Sequence, residues 1–459
     1  MILFDAERIA EEAGAEIVRR GTGGHPERAA VDSRAVTAGD LFVGLPGDRA
    51  DGGEFAGQAF HNGAWGVLVD SGWAAALDRA AAPGWVFAAE DPLAALQSLA
   101  RAWRRELGCP VVGITGSTGK TSVKDVCHAL LPGRVHASPE NFNTEIGLPL
   151  AILGAGEDTE TLVLEMAMRG MGQIAELCEI AEPDVAAITN IGPVHLELLG
   201  TLDAIAEAKA EILAGLRRDG RAVIPADAEA LEPHVHDELW TVTFGAGGDV
   251  FAENARVEGG RTEALVGTPL GEARFLLPFT EAHNLTNALC AIAIGVALEA
   301  DPADLAARAP GIEFSRLRGE TIELGDGISL INDCYNANPI SMRAALDHLA
   351  SIATSGRRIA ILGGMAELGP DGPDYHREIG AHARGLDIDE VIGVGEMARD
   401  YAPDRWAADA DAGAELAERV LGAGDEVLVK GSRSVGLERL TDGLLARRSN
   451  HAGDGGAHA

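Results

Sequence analysis

The chain has 459 residues, which is too long for one hydrophobic core and predicts about three domains. Its formal net charge of −34 argues against a nucleic-acid partner, because binding a duplex needs a dominant basic surface. No apolar run approaches the ~20 residues of a membrane span and the first residues do not resemble a signal peptide, so we expect a cytoplasmic protein without a membrane partner.

The cysteines stand apart along the chain and form no Cys-x-x-Cys pair. This usage predicts reduced, mostly buried thiols and neither a disulfide framework nor a zinc site. The five are Cys109, Cys127, Cys178, Cys290 and Cys334.

The N-terminal segment ends before a clearly marked helix. Asp91 is the predicted N-cap and Pro92 the first helical residue, and apolar residues then recur on one face for several turns. We place the first domain boundary just before this helix, so that residues 1–88 form the first domain.

A short apolar strand at residues 111–115 leads into a glycine-rich turn that ends in Gly-Lys-Thr, and residues 122–131 have helical apolar spacing. This strand, loop and helix order is typical of a loop that binds a nucleoside triphosphate. Lys120 would contact the β- and γ-phosphates, and the Thr121 hydroxyl would bind Mg²⁺. Gly113 stands one place earlier than the first glycine of the general pattern, and a plain strand-to-helix turn with an exposed lysine is the alternative. The predicted loop residues are Gly116, Ser117, Thr118, Gly119, Lys120 and Thr121.

Two further polar residues follow predicted strands of the same segment. Ligands collect beyond the carboxyl ends of strands in open parallel sheets. Glu165 ends the strand at 161–164, where its carboxylate would reach a nucleotide-bound Mg²⁺ or simply face solvent. His195 follows the strand at 185–188, but a loop histidine is usually only a hydrogen-bonding residue and Mg²⁺ prefers oxygen. Taken by itself, His195 is therefore not predicted to bind metal.

Lys209 is the unexpected residue of the central segment. It lies on the apolar helical face, four residues after Ile205 and four before Leu213. Such a lysine either snorkels outward to water or is buried with an altered charge.

The helix that includes residues 288–298 is preceded by Asn284. Its side chain would either cap the helix or read the edge of a nucleotide base with its paired donor and acceptor groups. Both readings stay open from the sequence.

From residue 328 the alternation of strands and helices restarts, which predicts a second α/β unit beginning near residue 313. The expected fold is α/β with three domains. Residues 89–312 would form a central phosphate-loop parallel sheet with helices on both faces, and residues 313–459 a C-terminal Rossmann-like unit. The tail from about residue 449 has no apolar pattern and is predicted to be disordered.

Two strand ends of the C-terminal unit carry polar groups. Asp333 and Asn336 follow one predicted strand, and Lys430 and Arg433 follow another beside a glycine, an arrangement that suits an anion. Arg316 lies at the second boundary, where a hinge would be.

Together these stretches resemble the Mur ligase family, the ATP-dependent amide-forming enzymes of peptidoglycan precursor synthesis, over nearly the whole chain. The runs at residues 140–149, 335–339 and 363–369 are typical of the members that join D-alanyl-D-alanine to UDP-N-acetylmuramoyl-tripeptide. The resemblance implies an acyl-phosphate route, a monomeric chain, ATP as a substrate and two Mg²⁺ ions. Another member of the superfamily, third-residue-adding or folylpolyglutamate synthase-like, and a nucleotide switch that joins nothing are the alternatives.

The resemblance also implies roles by position. Lys209 would be carbamylated by CO₂ and would support the second Mg²⁺, and the C-terminal unit would swing in to complete the site. The implied catalytic residues are Lys120, Glu165, His195 and Lys209, and the implied metal ligands are Thr121, Glu165, His195 and Lys209. ATP would be held by the phosphate loop with Asn284, Arg316 and Asp333, and the substrates by Ser33, Arg34, Asn143, Asn336, Lys430 and Arg433. The chain departs from the family pattern at Gly53, where histidine is usual, at Thr144, where asparagine is common, and at Gly364, where aspartate is frequent.

Overall fold

A computed structural model describes residues 3–47, 50–79 and 83–454. Strands and helices alternate along most of the chain, which confirms the predicted α/β class. The strands are β1 (Glu16–Arg19), β2 (Ala29–Ala30), β3 (Leu41–Val43), β4 (Gly66–Asp70), β5 (Trp85–Ala89), β6 (Val111–Thr115), β7 (Val135–Ala137), β8 (Thr161–Glu165), β9 (Val185–Ile188), β10 (Arg221–Pro225), β11 (Trp240–Phe244), β12 (Phe251–Glu258), β13 (Arg261–Thr268), β14 (Gly271–Leu277), β15 (Glu320–Glu323), β16 (Ser329–Asp333), β17 (Arg358–Gly363), β18 (Glu390–Val394), β19 (Arg405–Ala407) and β20 (Glu426–Lys430). The helices are α1 (Ala6–Ala13), α2 (Ala56–His61), α3 (Ser71–Arg79), α4 (Pro92–Leu107), α5 (Lys120–Leu130), α6 (Gly147–Leu153), α7 (Gln173–Ala181), α8 (Leu196–Leu199), α9 (Leu202–Ala214), α10 (Ala282–Ala297), α11 (Pro302–Arg308), α12 (Pro339–Ser351), α13 (Gly372–Gly385), α14 (Ala410–Val420) and α15 (Leu437–Asp454).

The N-terminal sheet has the order β1-β5-β4-β3-β2 and is parallel except for β1. Phe4, just before α1, packs edge-to-face on Trp103 of α4 at 5.4 Å between ring centroids. The predicted cap is present, because the Asp91 carboxylate accepts from the backbone N–H groups of the first turn of α4. The predicted boundary near residue 88 falls within the last residues of β5.

The central sheet is fully parallel, with the order β11-β10-β9-β6-β8-β7. Alternate strand residues point to opposite faces, so each strand contributes to two cores. Leu162 and Leu164 pack with helices α4, α6, α7 and α9, whereas Val163 packs with α5 and α10 on the other face. The prediction of a central parallel sheet with helices on both faces is confirmed.

Strands β12, β13 and β14 form a small antiparallel sheet that the sequence reasoning missed. The β12–β13 hairpin turns at Gly259 and Gly260, both with positive φ (58° and 74°), which is the pairing expected of a two-residue hairpin loop. Thr262, Ala264 and Val266 are buried at every second position. This alternation next to a Gly-Gly pair was the signal available in the sequence.

The C-terminal sheet has the order β15-β16-β20-β17-β18-β19 and is parallel except for β15. Helices α14 and α15 cover one face, and α12 and α13 cover the other. This doubly wound unit fits the predicted Rossmann-like architecture. Asp333 and Lys430 end the adjacent strands β16 and β20 in register, which places both side chains at the carboxyl edge.

Helix α15 continues to Asp454, and the disorder expected of the tail from about residue 449 stays a prediction. Leu437, Leu440 and Leu444 anchor the helix in the core. Extending a formed helix needs no new nucleation, and polar residues cost only tenths of a kcal/mol each. Residues 455–459 lie outside the described part of the chain.

All five cysteines are buried free thiols, as the sequence predicts. Over the described residues, none of the helices has the length and apolar character that crossing a membrane demands.

Candidate active site

A cavity of about 730 Å³ lies between the carboxyl edges of the central and C-terminal sheets. The structure brings most of the sequence-predicted site residues together at this cavity. Those that line it are Ser117, Thr118, Gly119, Lys120, Thr121, Asn143, Glu165, His195, Lys209, Asn284, Asp333, Asn336 and Lys430. The predicted residues outside its lining are Ser33, Arg34, Gly116, Arg316 and Arg433.

The phosphate loop joins β6 to α5, and its glycines are required by close contacts. A Cβ on Gly116 would lie 1.9 Å from Thr189 Oγ1, and one on Gly119 would lie 2.4 Å from Asn287 Oδ1. Both glycines also have positive φ, 148° and 78°. The N-terminus of α5, which begins at Lys120, lines the cavity, and a helix N-terminus favours an anion.

Glu165 is buried at the end of β8, with 3% of its surface exposed, so the solvent-facing alternative is wrong. Its Oε2 accepts a hydrogen bond from Thr121 Oγ1 at 2.8 Å, and its Oε1 accepts from Asn143 Nδ2 at 2.8 Å. A hydroxyl and a carboxylate at the foot of a phosphate site are oxygen donors of the kind that Mg²⁺ prefers.

Within the described residues, no three His, Cys, Asp or Glu side chains form a metal-binding group by themselves. This fits Mg²⁺, which usually takes one or two carboxylates and completes its shell with phosphates and water. The residues present therefore suit a nucleotide-bound magnesium ion better than a metal held by protein alone.

Lys209 does not snorkel, because only 1% of its surface is exposed. Its Nζ donates to the Gly116 carbonyl oxygen at 3.1 Å, and Lys120 Nζ donates to the same oxygen at 2.7 Å. Burial lowers the pKa of Lys209 well below its ordinary value, and the nearby Lys120 charge lowers it further. Burial lowers the pKa of Lys120 as well, so the two amino groups that converge on one carbonyl are both placed where burial disfavours the charged form.

His195 contacts Glu367, a residue that the sequence reasoning recorded only as part of a subgroup marker. The His195 Nδ1 atom lies 2.5 Å from Glu367 Oε2. Burial lowers the pKa of His195, Glu367 opposes that shift, and the charges of Lys209 and Lys120 add to it. His195 therefore sits between cations of the central domain and a carboxylate of the C-terminal domain.

Asn284 lies in the first turn of α10 and is 4% exposed. The capping alternative is wrong, since the N-cap is Glu281 and no side chain bonds the helix start there. The Asn284 Oδ1 atom instead accepts from Asn287 Nδ2 at 3.1 Å. The amide side chains of Asn284 and Asn287 therefore both line the cavity.

Arg316 is exposed and does not line the cavity, whereas Arg318, which the sequence reasoning did not select, does. Leu317 has a positive φ of 64°, which reverses the chain between the two arginines. Arg318 Nη2 donates to Thr121 Oγ1 at 3.2 Å, and its guanidinium carbon lies 4.1 Å from the Tyr335 ring centroid. The cation brought to the phosphate loop from the linker is therefore Arg318.

The C-terminal cations are already paired. Lys430 Nζ donates to Asp333 Oδ2 at 2.6 Å and to the Asn336 carbonyl at 3.1 Å. Arg433 lies 3.5 Å from Glu438 and stays outside the cavity. Of the two cations that the sequence predicts to bind an anion, only Lys430 lines the cavity, and it is paired with the Asp333 carboxylate.

The linker that leads into the C-terminal unit is held by the phosphate-loop helix. Asp125 of α5 accepts from the Ser315 backbone N–H at 2.8 Å and from the Ser315 hydroxyl at 3.0 Å. The chain between the two domains therefore starts from a fixed point on α5.

Ser33 and Arg34 lie in the N-terminal domain, away from the cavity lining. Ser33 donates to Gln58 Oε1 at 3.1 Å and is 6% exposed. Arg34 forms an exposed pair with Asp32 at 2.7 Å, and this hydrogen bond lowers the pKa of Asp32 to about 2. Only a ligand that extends well beyond the cavity would reach them.

Two departures from the family pattern have steric causes in this chain. A Cβ on Gly53 would lie 2.2 Å from Cδ1 of Trp73, and one on Gly364 would lie 2.7 Å from Cβ of Met397. Each neighbour fills the space that a larger residue would take. At the third departure, Thr144 uses its hydroxyl to accept weakly from the Gly147 N–H at 3.4 Å.

Replacing Gly53 by histidine should therefore destabilise the N-terminal domain. Overpacking of this kind costs about 1–3 kcal/mol. Urea unfolding should show a lower midpoint for Gly53→His, and adding Trp73→Ala should recover part of the loss. Gly57→His is the matched control, because nothing lies within 4 Å of a Cβ there. Equal midpoints for the Gly53 and Gly57 variants would contradict the steric explanation.

The comparisons with known proteins agree with this geometry. Family models for the Mur ligase middle domain and for the Mur ligase, glutamate ligase domain match residues 114–295 and 317–433. The UDP-N-acetylmuramoyl-tripeptide–D-alanyl-D-alanine ligase of Bacillus subtilis is 36% identical over 91% of this chain and 92% of its own. The chain belongs to the Mur ligase family. A crystal structure of MurF from Acinetobacter baumannii matches this Mur ligase with a TM-score of 0.86 and 26% identity, covering 96% of this chain and 99% of that one. MurF from Thermotoga maritima in complex with ADP matches with a TM-score of 0.79 and 31% identity, covering 92% and 98%.

Proposed function

We propose that this Mur ligase joins D-alanyl-D-alanine to UDP-N-acetylmuramoyl-tripeptide at the expense of ATP, giving ADP and phosphate. The names of its relatives support the two substrates. The observation that carries the proposal is the cavity itself, in which the phosphate loop faces groups of the C-terminal domain. A nucleotide switch needs no second domain with amide and carboxylate side chains aimed at the same space.

A carboxylate must be activated before it can form an amide in water. The tripeptide carboxylate oxygen attacks the γ-phosphorus, the bond to the bridging oxygen breaks, and ADP leaves. The amine of D-alanyl-D-alanine then attacks the acyl phosphate, loses a proton to solvent, and displaces phosphate. The protein contributes mainly position and charge to both steps.

Each group of the cavity has a part in that chemistry. Lys120 offsets phosphate charge, and Thr121 and Glu165 would hold Mg²⁺, which would supply further charge neutralisation at the phosphates. Arg318 reaches the phosphate loop from the linker, and the Asn284 amide at the cavity wall would read the edge of the adenine. The amide of Asn143 orients Glu165, so its proposed substrate role is indirect. Asn336 and Lys430 form the peptide side of the cavity.

Lys209 reacts with CO₂ in this proposal. Its neutral Nζ attacks the carbon of CO₂ and loses a proton, giving a carbamate anion. The support is its burial, its lowered pKa and its position beside Lys120. A carbamate would place an anion beside the Lys120 cation and would supply oxygen donors near the phosphate loop, where a second Mg²⁺ and His195 would meet them.

The UDP end of the substrate would bind the N-terminal domain near Ser33 and Arg34, which lie outside the cavity lining. Arg316 and Arg433 lie outside the cavity lining, so their roles stay predictions. The domain boundaries, the monomeric state and the cytoplasmic location stay predictions.

One assay tests the function directly. Purified protein with ATP, Mg²⁺ and the UDP-linked tripeptide should release ADP only when D-alanyl-D-alanine is added, since the acyl phosphate otherwise has no acceptor amine. Mass spectrometry should then find the UDP-linked pentapeptide. ADP release at the same rate without the dipeptide, and no pentapeptide, would sink the ligase assignment.

A further inference from the structure

The contact between His195 and Glu367 joins two domains. His195 follows β9 of the central sheet, and Glu367 follows β17 of the C-terminal sheet. Besides the 2.5 Å contact of the side chains, the Glu367 carbonyl accepts from the Glu197 N–H at 3.4 Å. The loops after the two strands therefore meet at both backbone and side-chain level.

Both residues adopt a strained backbone. His195 has a φ of 54° and Glu367 a φ of 62°. Non-glycine residues in this region cost about 1–3 kcal/mol each and persist where the surrounding structure imposes them. Strain at both ends of one contact points to a feature that is kept for the geometry it gives.

Glu367 is fixed to the C-terminal domain. The neighbouring Ala366 N–H donates to Ser432 Oγ at 2.9 Å, and the Met365 N–H donates to His376 Nε2 at 2.9 Å. Ser432 belongs to the turn that follows Lys430. Glu367 therefore moves with that turn, and it reaches His195 only when the domains are arranged as they are here.

The contact also selects one form of the imidazole. An ionised carboxylate can only accept, so the contact places the donated proton on His195 Nδ1. Carboxylate partners of this kind fix the orientation and tautomer of functional histidines. Without Glu367, either nitrogen could carry the proton.

We infer that Glu367 is a positioning residue, which orients His195 in one tautomer only when the C-terminal domain has closed on the central domain. The amide-forming reaction would therefore require the closed arrangement of the two domains. This role rests on the ligase activity proposed above.

Replacing Glu367 by alanine should lower kcat by about 10–100-fold, the usual cost of removing such a partner. The KM for ATP should change less than about threefold, because the phosphate loop is untouched. The kcat of Glu367→Gln should lie between those of the unmodified chain and Glu367→Ala, because an amide fills the space of the carboxylate but also allows the other tautomer of His195. Glu396→Ala is the matched control, because Glu396 is 81% exposed on the same domain and pairs with Arg399 three residues away. Its kcat should equal that of the unmodified chain.

Two measurements separate positioning from a merely structural tie. In a His195→Ala background, Glu367→Ala should reduce kcat by less than about twofold further, because its effect runs through His195. In ¹⁵N-histidine NMR spectra, the His195 signals should report protonated Nδ1 in the unmodified chain and mixed tautomers in Glu367→Ala. An unchanged kcat, independent multiplicative losses, or an unchanged tautomer would overturn the inference. Dipeptide-independent ADP release by the unmodified chain would instead remove the ligase assignment, and this role with it.

Discussion

Replacing Lys209 by methionine is expected to lower kcat by about 10²–10³-fold or more, the scale seen when a fixed charge is removed from a reaction centre. Methionine has nearly the shape of lysine, so the cavity should keep its form while losing the amine that reacts with CO₂. Unfolding temperature should not fall, because a buried amine is replaced by an apolar group. Dipeptide-dependent ADP release and thermal unfolding of the same preparation check both statements.

Two further experiments distinguish the carbamate from a simple cationic role. Lys209→Arg keeps a positive charge but cannot be carbamylated, so it should be as inactive as the methionine variant. Added bicarbonate should raise the activity of CO₂-depleted unmodified protein and leave both variants unchanged. Substantial activity in Lys209→Arg would mean that the residue acts as a cation, and the carbamate would have to be abandoned.

Replacing Glu165 by glutamine should lower kcat by a similar ~10²–10³-fold. The amide can still accept from Thr121, but it lacks the negative charge that holds a divalent ion. The Mg²⁺ concentration for half-maximal activity should therefore rise, and this shift is the measurement that separates metal binding from a packing role. Glutamine in place of Glu263, an exposed residue of β13 paired with Arg274, removes the same charge elsewhere and should change neither value. A Glu165→Gln enzyme with normal magnesium dependence would exclude Glu165 as a ligand.

The parts of the site that could be predicted are those set by local sequence. The phosphate loop combines glycines at fixed spacing with a strand and a helix, and Lys209 stands out because a charge interrupts an apolar stripe. Whether that lysine reaches water could not be deduced, because its exposure depends on packing against the loop of another element. The same holds for Glu165, whose burial depends on Asn143 and Thr121.

Other parts depended on backbone geometry that sequence does not encode simply. Arg316 and Arg318 are two residues apart, and the positive φ of Leu317 decides which one enters the cavity. Glu367 lies 172 positions from His195 in sequence, and the contact between them forms only where two domains meet. Neither the entry of Arg318 into the cavity nor the contact of Glu367 with His195 follows from composition, periodicity or spacing.

Asp125 accepts two hydrogen bonds from Ser315, which couples the nucleotide-binding helix to the interdomain linker. If nucleotide binding favours one setting of the linker by some factor, that setting must strengthen nucleotide binding by the same factor. A small molecule that separated Ser315 from Asp125 would then weaken ATP binding from a distance. Such a compound would not occupy the phosphate site, and by the same reciprocity ATP would weaken its binding by that one factor and no more.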